Sequence, residues 1–256
     1  MTEASATAHD SEFNHVARWT ADELQGRDQT SVLAGASRGS GSPSALAWLA
    51  ESLAFADDLR LLDVGSGLGG PAAWASARYG VSPVGVEPMD GAALGASQLF
   101  AMPTVVGGAE ALPIASATFD VAWTLGVLDT VENPKAALVE IRRCLVDDGR
   151  IGVLGYVADQ PIRPADIPEG NRFPTTAELV ADLASAKFAV VDWVASAVLA
   201  NAPLDWSLRQ ARLDQVLSRD HAEDPRWHQA KENEAAFAAL LDDGRVSMIL
   251  IHALCV

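Results

Sequence analysis

The segment that most constrains the fold of this chain is residues 61–72, which read LLDVGSGLGGPA. A short apolar run ends in an acid, a glycine-rich turn follows, and Pro71 marks the first turn of a helix. Glycines allow the backbone to approach a ligand where a Cβ atom would clash. The helix behind the turn directs unpaired N–H groups at the same place. The segment therefore predicts a ligand cradle at the carboxyl end of a strand in an open α/β sheet.

Two classes of ligand use such a turn. Gly65, Gly67 and Gly70 have the G-x-G-x-x-G spacing of dinucleotide-binding proteins, which is a weak signal by itself. Asp63 lies two residues before the first glycine, where a carboxylate would repel a pyrophosphate but would suit a ligand that carries an ammonium group. The sequence favours the second class, and a tight turn without any ligand is the remaining alternative.

A second acid follows at a characteristic distance. Residues 81–87 predict a second strand that ends at Glu87, and Glu87 lies 22 residues after Gly65. Related folds place the acid that binds the ribose hydroxyls about 20 residues after the first glycine. We therefore expect Glu87 to accept hydrogen bonds from a ribose. The alternative is a solvated carboxylate at the end of a strand.

Further segments extend the pattern along the chain. They are VVGGAEALPI at residues 105–114, FDVAW at residues 119–123, and residues 135–154, which predict a helix followed by a strand. Together with the glycine-rich turn, in which Gly65, Gly67 and Gly69 fit G-x-G-x-G, they resemble the class I S-adenosylmethionine-dependent methyltransferases. The resemblance is to the small-molecule branch, which includes the quinone C-methyltransferases and the glycine-betaine-pathway N-methyltransferases. It covers about residues 60–157.

This resemblance implies S-adenosyl-L-methionine as the cofactor. Glu87 would bind both ribose hydroxyls, and Met89 would pack on the adenine. Gly108 stands where the family usually has an acid that reads the adenine amino group. That role would therefore pass to the Ala109 backbone and Glu110. The implied cofactor-binding residues are Asp63, Gly65, Ser66, Gly67, Gly69, Glu87, Met89, Ala109, Glu110 and Leu125.

Strand and helix patterns alternate over residues 60–186, and two more strands are predicted at residues 189–194 and 246–251. This alternation predicts a Rossmann-like, doubly wound α/β fold with a seven-stranded, mostly parallel sheet and helices on both faces. The resemblance implies that the last strand is antiparallel and lies beside the fifth.

The domain organisation follows from the ends of this pattern. We expect a disordered tail over residues 1–12 and a single methyltransferase domain over residues 13–256, which begins with helices in residues 13–56. Residues 198–244 predict two inserted helices. We interpret this insertion as a lid over the acceptor site, and an added packing layer or a dimer surface is the alternative.

The segment after the fourth predicted strand carries the candidate catalytic group. Many members of the resembled family have LHHV where residues 128–131 of this chain read LDTV. Asp129 is therefore the candidate general base or ammonium ligand, and a capping or solvated role is an equal alternative. The candidate acceptor-binding residues are Trp19, Tyr156, Arg163 and Arg172, for which core packing or a plain surface charge is the alternative.

Composition narrows the function further. The formal net charge of −16 disfavours nucleic acid and anionic membranes as partners. The two cysteines lie far apart in the sequence. The sequence shows no residue spacing typical of metal ligands. It also shows neither an apolar run long enough to span a membrane nor a signal peptide. We predict a cytoplasmic enzyme that transfers a methyl group to a small-molecule acceptor by in-line displacement and needs no metal. The alternatives are a nicotinamide-dependent oxidoreductase and a non-catalytic S-adenosylmethionine-binding protein of the same fold.

Overall fold

The computed structural model describes residues 8–256, with side chains from residue 12 onward. Its centre is one seven-stranded sheet in the order β3-β2-β1-β4-β5-β7-β6. Strand β7 is antiparallel to both of its neighbours, and the other pairs are parallel. The predicted doubly wound fold is confirmed. The strands are β1 Arg60–Val64, β2 Ser82–Glu87, β3 Thr104–Val106, β4 Phe119–Leu125, β5 Leu145–Val157, β6 Phe188–Ala195 and β7 Ser247–Cys255.

Helices connect the strands and extend the domain at two places. Several begin at a proline that follows a capping side chain, such as Ser42, Asn133 and Asp224. No helix within residues 8–256 is long and apolar enough to cross a bilayer. The helices are α1 Ala8–Leu24, α2 Gln29–Gly35, α3 Pro43–Ser52, α4 Gly70–Tyr79, α5 Asp90–Phe100, α6 Pro134–Cys144, α7 Thr176–Ser185, α8 Leu204–Asp220 and α9 Pro225–Asp242.

Both faces of the sheet are buried. One core packs residues of β4 and β5 against α6 and α7, with Leu138 and Ile141 at its centre. The other core packs the opposite face against α3 and α4, around Leu49 and Trp123. Because helices cover both faces, the carboxyl edge of the parallel strands is the part of the sheet left for a ligand.

A third core joins α1, α2, α8 and α9 into one unit, which we call the helical cap. Its buried side chains include Leu24, Val32, Leu213 and Trp227. Leu68, from the glycine-rich turn, belongs to the same core. The inserted helices therefore pack against the amino-terminal helices, and through them the cap meets the turn after β1.

The structure differs from the predictions at the amino terminus and in β5. Helix α1 begins at Ala8, so the last residues of the predicted tail are helical, and residues 1–7 lie outside the described part of the chain. Helix α2 was not predicted, because QTSVLAG carries little helical signal and is stabilised by packing on α8. The sequence pattern predicts the fifth strand at about residues 150–157, whereas β5 begins at Leu145.

Candidate active site

The glycine-rich turn has left-handed backbone at three positions. The φ angles are 71° at Gly65, 52° at Gly67 and 76° at Gly69. A Cβ atom on Gly65 would lie 2.3 Å from the Val127 side chain, whereas the same atom on Gly67 would meet nothing within 4 Å. Gly65 is therefore required by its neighbours as well as by its backbone. Gly67 presents bare backbone to open space, as expected of a surface that a ligand covers.

Glu87 connects this turn to the end of β2. Its carboxylate accepts the Gly67 N–H at 2.8 Å and the Met89 N–H at 3.1 Å. Burial raises the pKa of Glu87, and these two hydrogen bonds act in the opposite direction. A buried carboxylate at the carboxyl edge, one strand away from the turn, is placed to accept the hydroxyls of a ribose.

Two polar side chains of the cradle have atoms without a partner. Asp63 is 2% exposed, and neither its Oδ2 nor the Ser66 Oγ makes a hydrogen bond. Burial raises the pKa of Asp63 to about 7; the neighbouring Trp123 side chain opposes this rise, and the nearby charge of Glu87 adds to it. Buried polar atoms are normally bonded, so these two favour a polar ligand in the cradle. A cofactor that carries an ammonium group, a carboxylate and ribose hydroxyls fits the residues present.

Only some of the residues predicted to surround the adenine have the expected environment. Ala109 is buried in the short turn after β3, and Leu125 is buried at the end of β4. Glu110, however, accepts the N–H of Asn133 at the start of α6, so its carboxylate is engaged away from an adenine. A Cβ atom added to Gly108 would have no neighbouring side chain or backbone atom within 4 Å. The space beside the missing acid is therefore open.

Asp129 lies at the junction of three segments. Its side chain accepts the Tyr156 N–H at 3.1 Å, and its backbone carbonyl accepts the Arg172 N–H at 2.8 Å. Burial raises the pKa of Asp129 to about 7, while the hydrogen bond from Tyr156 and the charge of Arg172 oppose the rise. Asp129 thus braces the loop after β4 against β5 and against the proline-rich loop, residues 158–175, which joins β5 to α7. Near neutral pH it is able to exchange a proton.

A cluster of aromatic side chains lies beside Asp129. The ring of Tyr156 meets that of Phe237 edge to face at 4.8 Å, and Phe237 lies 5.6 Å from the ring of Phe173. Burial raises the pKa of Tyr156 to about 12, so its hydroxyl stays protonated. The sequence pattern did not single out Phe173 and Phe237. The available signal was one aromatic residue in the alanine-rich second half of α9 and one in the proline-rich loop.

Two predicted acceptor-binding residues are engaged elsewhere. Trp19 stacks on His221 at 3.9 Å with Arg226 over its ring, so it holds α1 to the helices of the insertion. The Arg163 side chain is 82% exposed and pairs with Asp166. Of the predicted acceptor-binding residues, Tyr156 and Arg172 lie next to Asp129.

Comparison with known proteins agrees with this geometry. Residues 62–153 match the family model described as a methyltransferase domain. The match spans the glycine-rich turn, Glu87 and Asp129 and confirms the predicted relationship, so the oxidoreductase alternative loses its basis. No protein of curated function matches the chain in sequence.

Solved structures share the fold at low sequence identity. The cyclase SpnF has a TM-score of 0.67 and 21% identity over 82% of this chain and 79% of its own. The geranyl diphosphate C-methyltransferase from Streptomyces coelicolor has a TM-score of 0.64 and 19% identity, over 82% of this chain and 75% of its own. An S-adenosylmethionine-dependent methyltransferase from Geobacter sulfurreducens has a TM-score of 0.62 and 16% identity, over 84% and 92% respectively. Because a cyclase stands among them, the fold alone does not define the reaction.

Proposed function

We propose that this protein binds S-adenosyl-L-methionine in the glycine-rich cradle and transfers its methyl group to a small-molecule acceptor. The observation that carries the proposal is the hydrogen bond from the Gly67 N–H to the Glu87 carboxylate. Both residues lie within the segment that matches a methyltransferase domain. The structures of the Streptomyces coelicolor and Geobacter sulfurreducens enzymes were determined with the demethylated product of this cofactor, S-adenosyl-L-homocysteine.

Different residues of the cradle bind different parts of the cofactor. Glu87 holds the ribose, the bare backbone at Gly67 admits the cofactor, and Asp63 and Ser66 offer buried oxygen atoms to its amino-acid part. Met89 and Leu125 supply the apolar contacts around the adenine. S-adenosylmethionine supplies a methyl group already activated on a sulfonium. The protein therefore contributes mainly orientation, proximity and the exclusion of water.

The acceptor lies above the ends of β4 and β5, in this proposal. Tyr156, Phe173 and Phe237 form a wall beside Asp129. Asp129 either removes a proton from the acceptor or holds an amine next to the methyl group. The helical cap covers this region, because its helix α9 contributes Phe237. We also propose that the protein works in the cytoplasm and does not act on nucleic acid, in line with its strongly acidic charge.

A binding measurement followed by a turnover screen tests this function. Calorimetry should show micromolar binding of S-adenosyl-L-homocysteine and no binding of reduced nicotinamide cofactors. A metabolite-library screen should then show release of S-adenosyl-L-homocysteine from S-adenosylmethionine with at least one acceptor. The opposite binding preference would overturn the proposal. Cofactor binding without release for any acceptor would instead indicate the non-catalytic binding protein.

A further inference from the structure

Asp63 lies between two different neighbours in the sheet. Its register partner on β2 is Gly85, which has no side chain, and its partner on β4 is Trp123. Side chains at paired positions of neighbouring strands lie on the same face of a sheet. Leu61, two residues before Asp63, packs with Trp123 in the core that faces α3 and α4. The indole of Trp123 is therefore the side chain that flanks Asp63 from the side of β4.

Trp123 carries a buried hydrogen-bond donor. Its side chain is fully buried, and the centre of the Phe55 ring lies 5.4 Å from the centre of the indole. The indole has one polar atom, Nε1, which donates a hydrogen bond and cannot accept one. Within the part of the chain that the structure describes, this Nε1 makes no hydrogen bond. A buried indole N–H usually has a partner, so an acceptor is expected beside it.

Asp63 is the acceptor that matches this donor. Burial raises the pKa of Asp63, and the Trp123 side chain opposes the rise, as a donor that favours the ionised carboxylate does. The charge of Glu87, at the end of β2, adds to the effect of burial. The helices that cover this face of the sheet carry no charged side chain over residues 43–50 and 70–77. Trp123 is thus the neighbour that favours ionisation of Asp63.

We propose that Trp123 is a positioning residue, whose indole N–H donates to the Asp63 carboxylate and orients it towards the ammonium group of the cofactor. The proposal deepens the proposed function and rests on it, because the ammonium group is that of S-adenosylmethionine. A carboxylate that accepts the indole N–H with one oxygen keeps the other for the ligand. The donor also favours the ionised form of Asp63, which is the form that attracts a cation.

A first test uses the full-length protein without ligand. The indole N–H signal of Trp123 is identified by nuclear magnetic resonance, through its disappearance in Trp123→Phe. We expect this signal to move with pH around a midpoint near 7, as Asp63 ionises beside it. In Asp63→Asn the same signal should no longer follow this profile. A Trp123 signal that does not respond to pH, or that follows the same profile in Asp63→Asn, would overturn the proposal.

A second test measures S-adenosyl-L-homocysteine binding by calorimetry as a function of pH. The wild-type affinity should rise as pH passes about 7, because ionised Asp63 attracts the ammonium group. Trp123→Phe keeps a buried aromatic ring and removes the donor. It should weaken binding roughly tenfold at neutral pH and move the midpoint of the profile upwards by about one pH unit. The probe 5′-methylthioadenosine keeps the adenosine part and lacks the ammonium group. It should bind both proteins equally, and its own pH profile reports the titration of Glu87.

Trp74→Phe is the matched control. Trp74 packs against the same core from α4, but its indole contacts Tyr79 and Arg78. The control should keep the wild-type affinity and the wild-type pH profile. An unchanged profile in Trp123→Phe, or equal losses in Trp123→Phe and Trp74→Phe, would overturn the proposal.

A double-mutant cycle separates positioning from packing. In the Asp63→Asn background, Trp123→Phe should cause no further loss of S-adenosyl-L-homocysteine affinity, because the carboxylate that it orients is gone. Fully additive losses would mean that Trp123 acts through packing, and they would overturn the proposal. Failure of wild type to bind S-adenosyl-L-homocysteine would overturn the proposed function instead, and the ligand-free titration would still show whether Trp123 donates to Asp63.

Discussion

The two halves of the candidate active site are built in different ways. The cofactor half consists of backbone and the side chains of Asp63, Ser66 and Glu87, from a continuous segment at the end of β1 and from the end of β2. The acceptor half consists of side chains from the proline-rich loop, β5 and α9, brought together by the helical cap. The first half lies within the segment that matches a methyltransferase domain. The aromatic residues of the second half lie outside that segment, and we propose that they make the site specific for its acceptor.

A buried aspartate in each half sharpens the comparison. Burial raises the pKa of both Asp63 and Asp129 to about 7. Asp63 has an oxygen without a partner, whereas Asp129 already bonds to the Tyr156 backbone. Similar burial thus accompanies different contacts: Asp129 holds its own loops in place, whereas Asp63 is the aspartate that we propose to meet the cofactor.

The largest effect is expected at the turn. Gly67→Val should weaken S-adenosyl-L-homocysteine binding by more than about a hundredfold. Its side chain would fill the ligand space, and a branched residue at φ 52° is strained. Calorimetry on the folded variant measures the loss. Gly244→Val, at φ 75° in the turn before β7 and with nothing within 4 Å of its Cβ position, carries a similar strain away from the cradle and should bind as wild type does. Equal affinity of both variants would place the cofactor elsewhere.

Asp129→Asn tests the acceptor half. If Asp129 acts as the base, turnover should fall by about 10²-fold. The affinity for S-adenosyl-L-homocysteine should stay unchanged, since the amide oxygen of asparagine still accepts the Tyr156 N–H. Steady-state kinetics with the identified acceptor measures the change. Normal turnover would show that Asp129 is not the base and that its role is structural.

Glu87→Ala probes the cofactor half again. Loss of hydrogen bonds to a charged group should cost about 1.5–3 kcal/mol of binding free energy, or roughly ten- to a hundredfold in Kd. Glu110→Gln is the control, because the Glu110 carboxylate bonds to the Asn133 N–H. Calorimetry that found the larger loss in Glu110→Gln would return the adenine role to Glu110.

A smaller effect is expected from the aromatic wall. Phe237→Ala should raise the KM for the acceptor by about tenfold, through the loss of a ring contact and of buried area. The Kd for S-adenosyl-L-homocysteine should not change, because the cofactor half is built from other elements. If the Kd for S-adenosyl-L-homocysteine rose while the KM for the acceptor stayed the same, Phe237 would belong to the cofactor half rather than to the acceptor half.

The smallest effect concerns pH and stability. The pKa of Asp63 is about 7 in the folded protein and about 3.9 in an unfolded chain. Between these values the folded state binds more protons, so this group lowers the free energy of unfolding as pH rises from about 4 to 7. Asp63→Asn should therefore raise the melting temperature of the ligand-free protein more at pH 8 than at pH 5. The exposed control Asp148→Asn should show no such difference. An equal gain at both pH values would contradict the burial argument.

Most of the sheet could be predicted because its signals are local. An apolar run, an acid and glycines in sequence specify strand, turn and helix wherever they occur, and β1, β2 and α4 fall at their predicted residues. The distance from Gly65 to Glu87 also follows from the chain, since one βα unit has a nearly constant length.

The sequence by itself therefore determined the doubly wound sheet and the glycine-rich turn with Glu87 at the end of the next strand. Only the tertiary structure decided the helical cap, where Arg38 meets Asp214 across 176 positions of the chain. It also joined Tyr156 to Phe237 and turned Glu110 away towards α6. A periodic pattern reports which face of a helix is apolar but not which distant helix will cover it. Contacts between segments far apart in the sequence depend on the packing of the whole domain, and these contacts form the acceptor half.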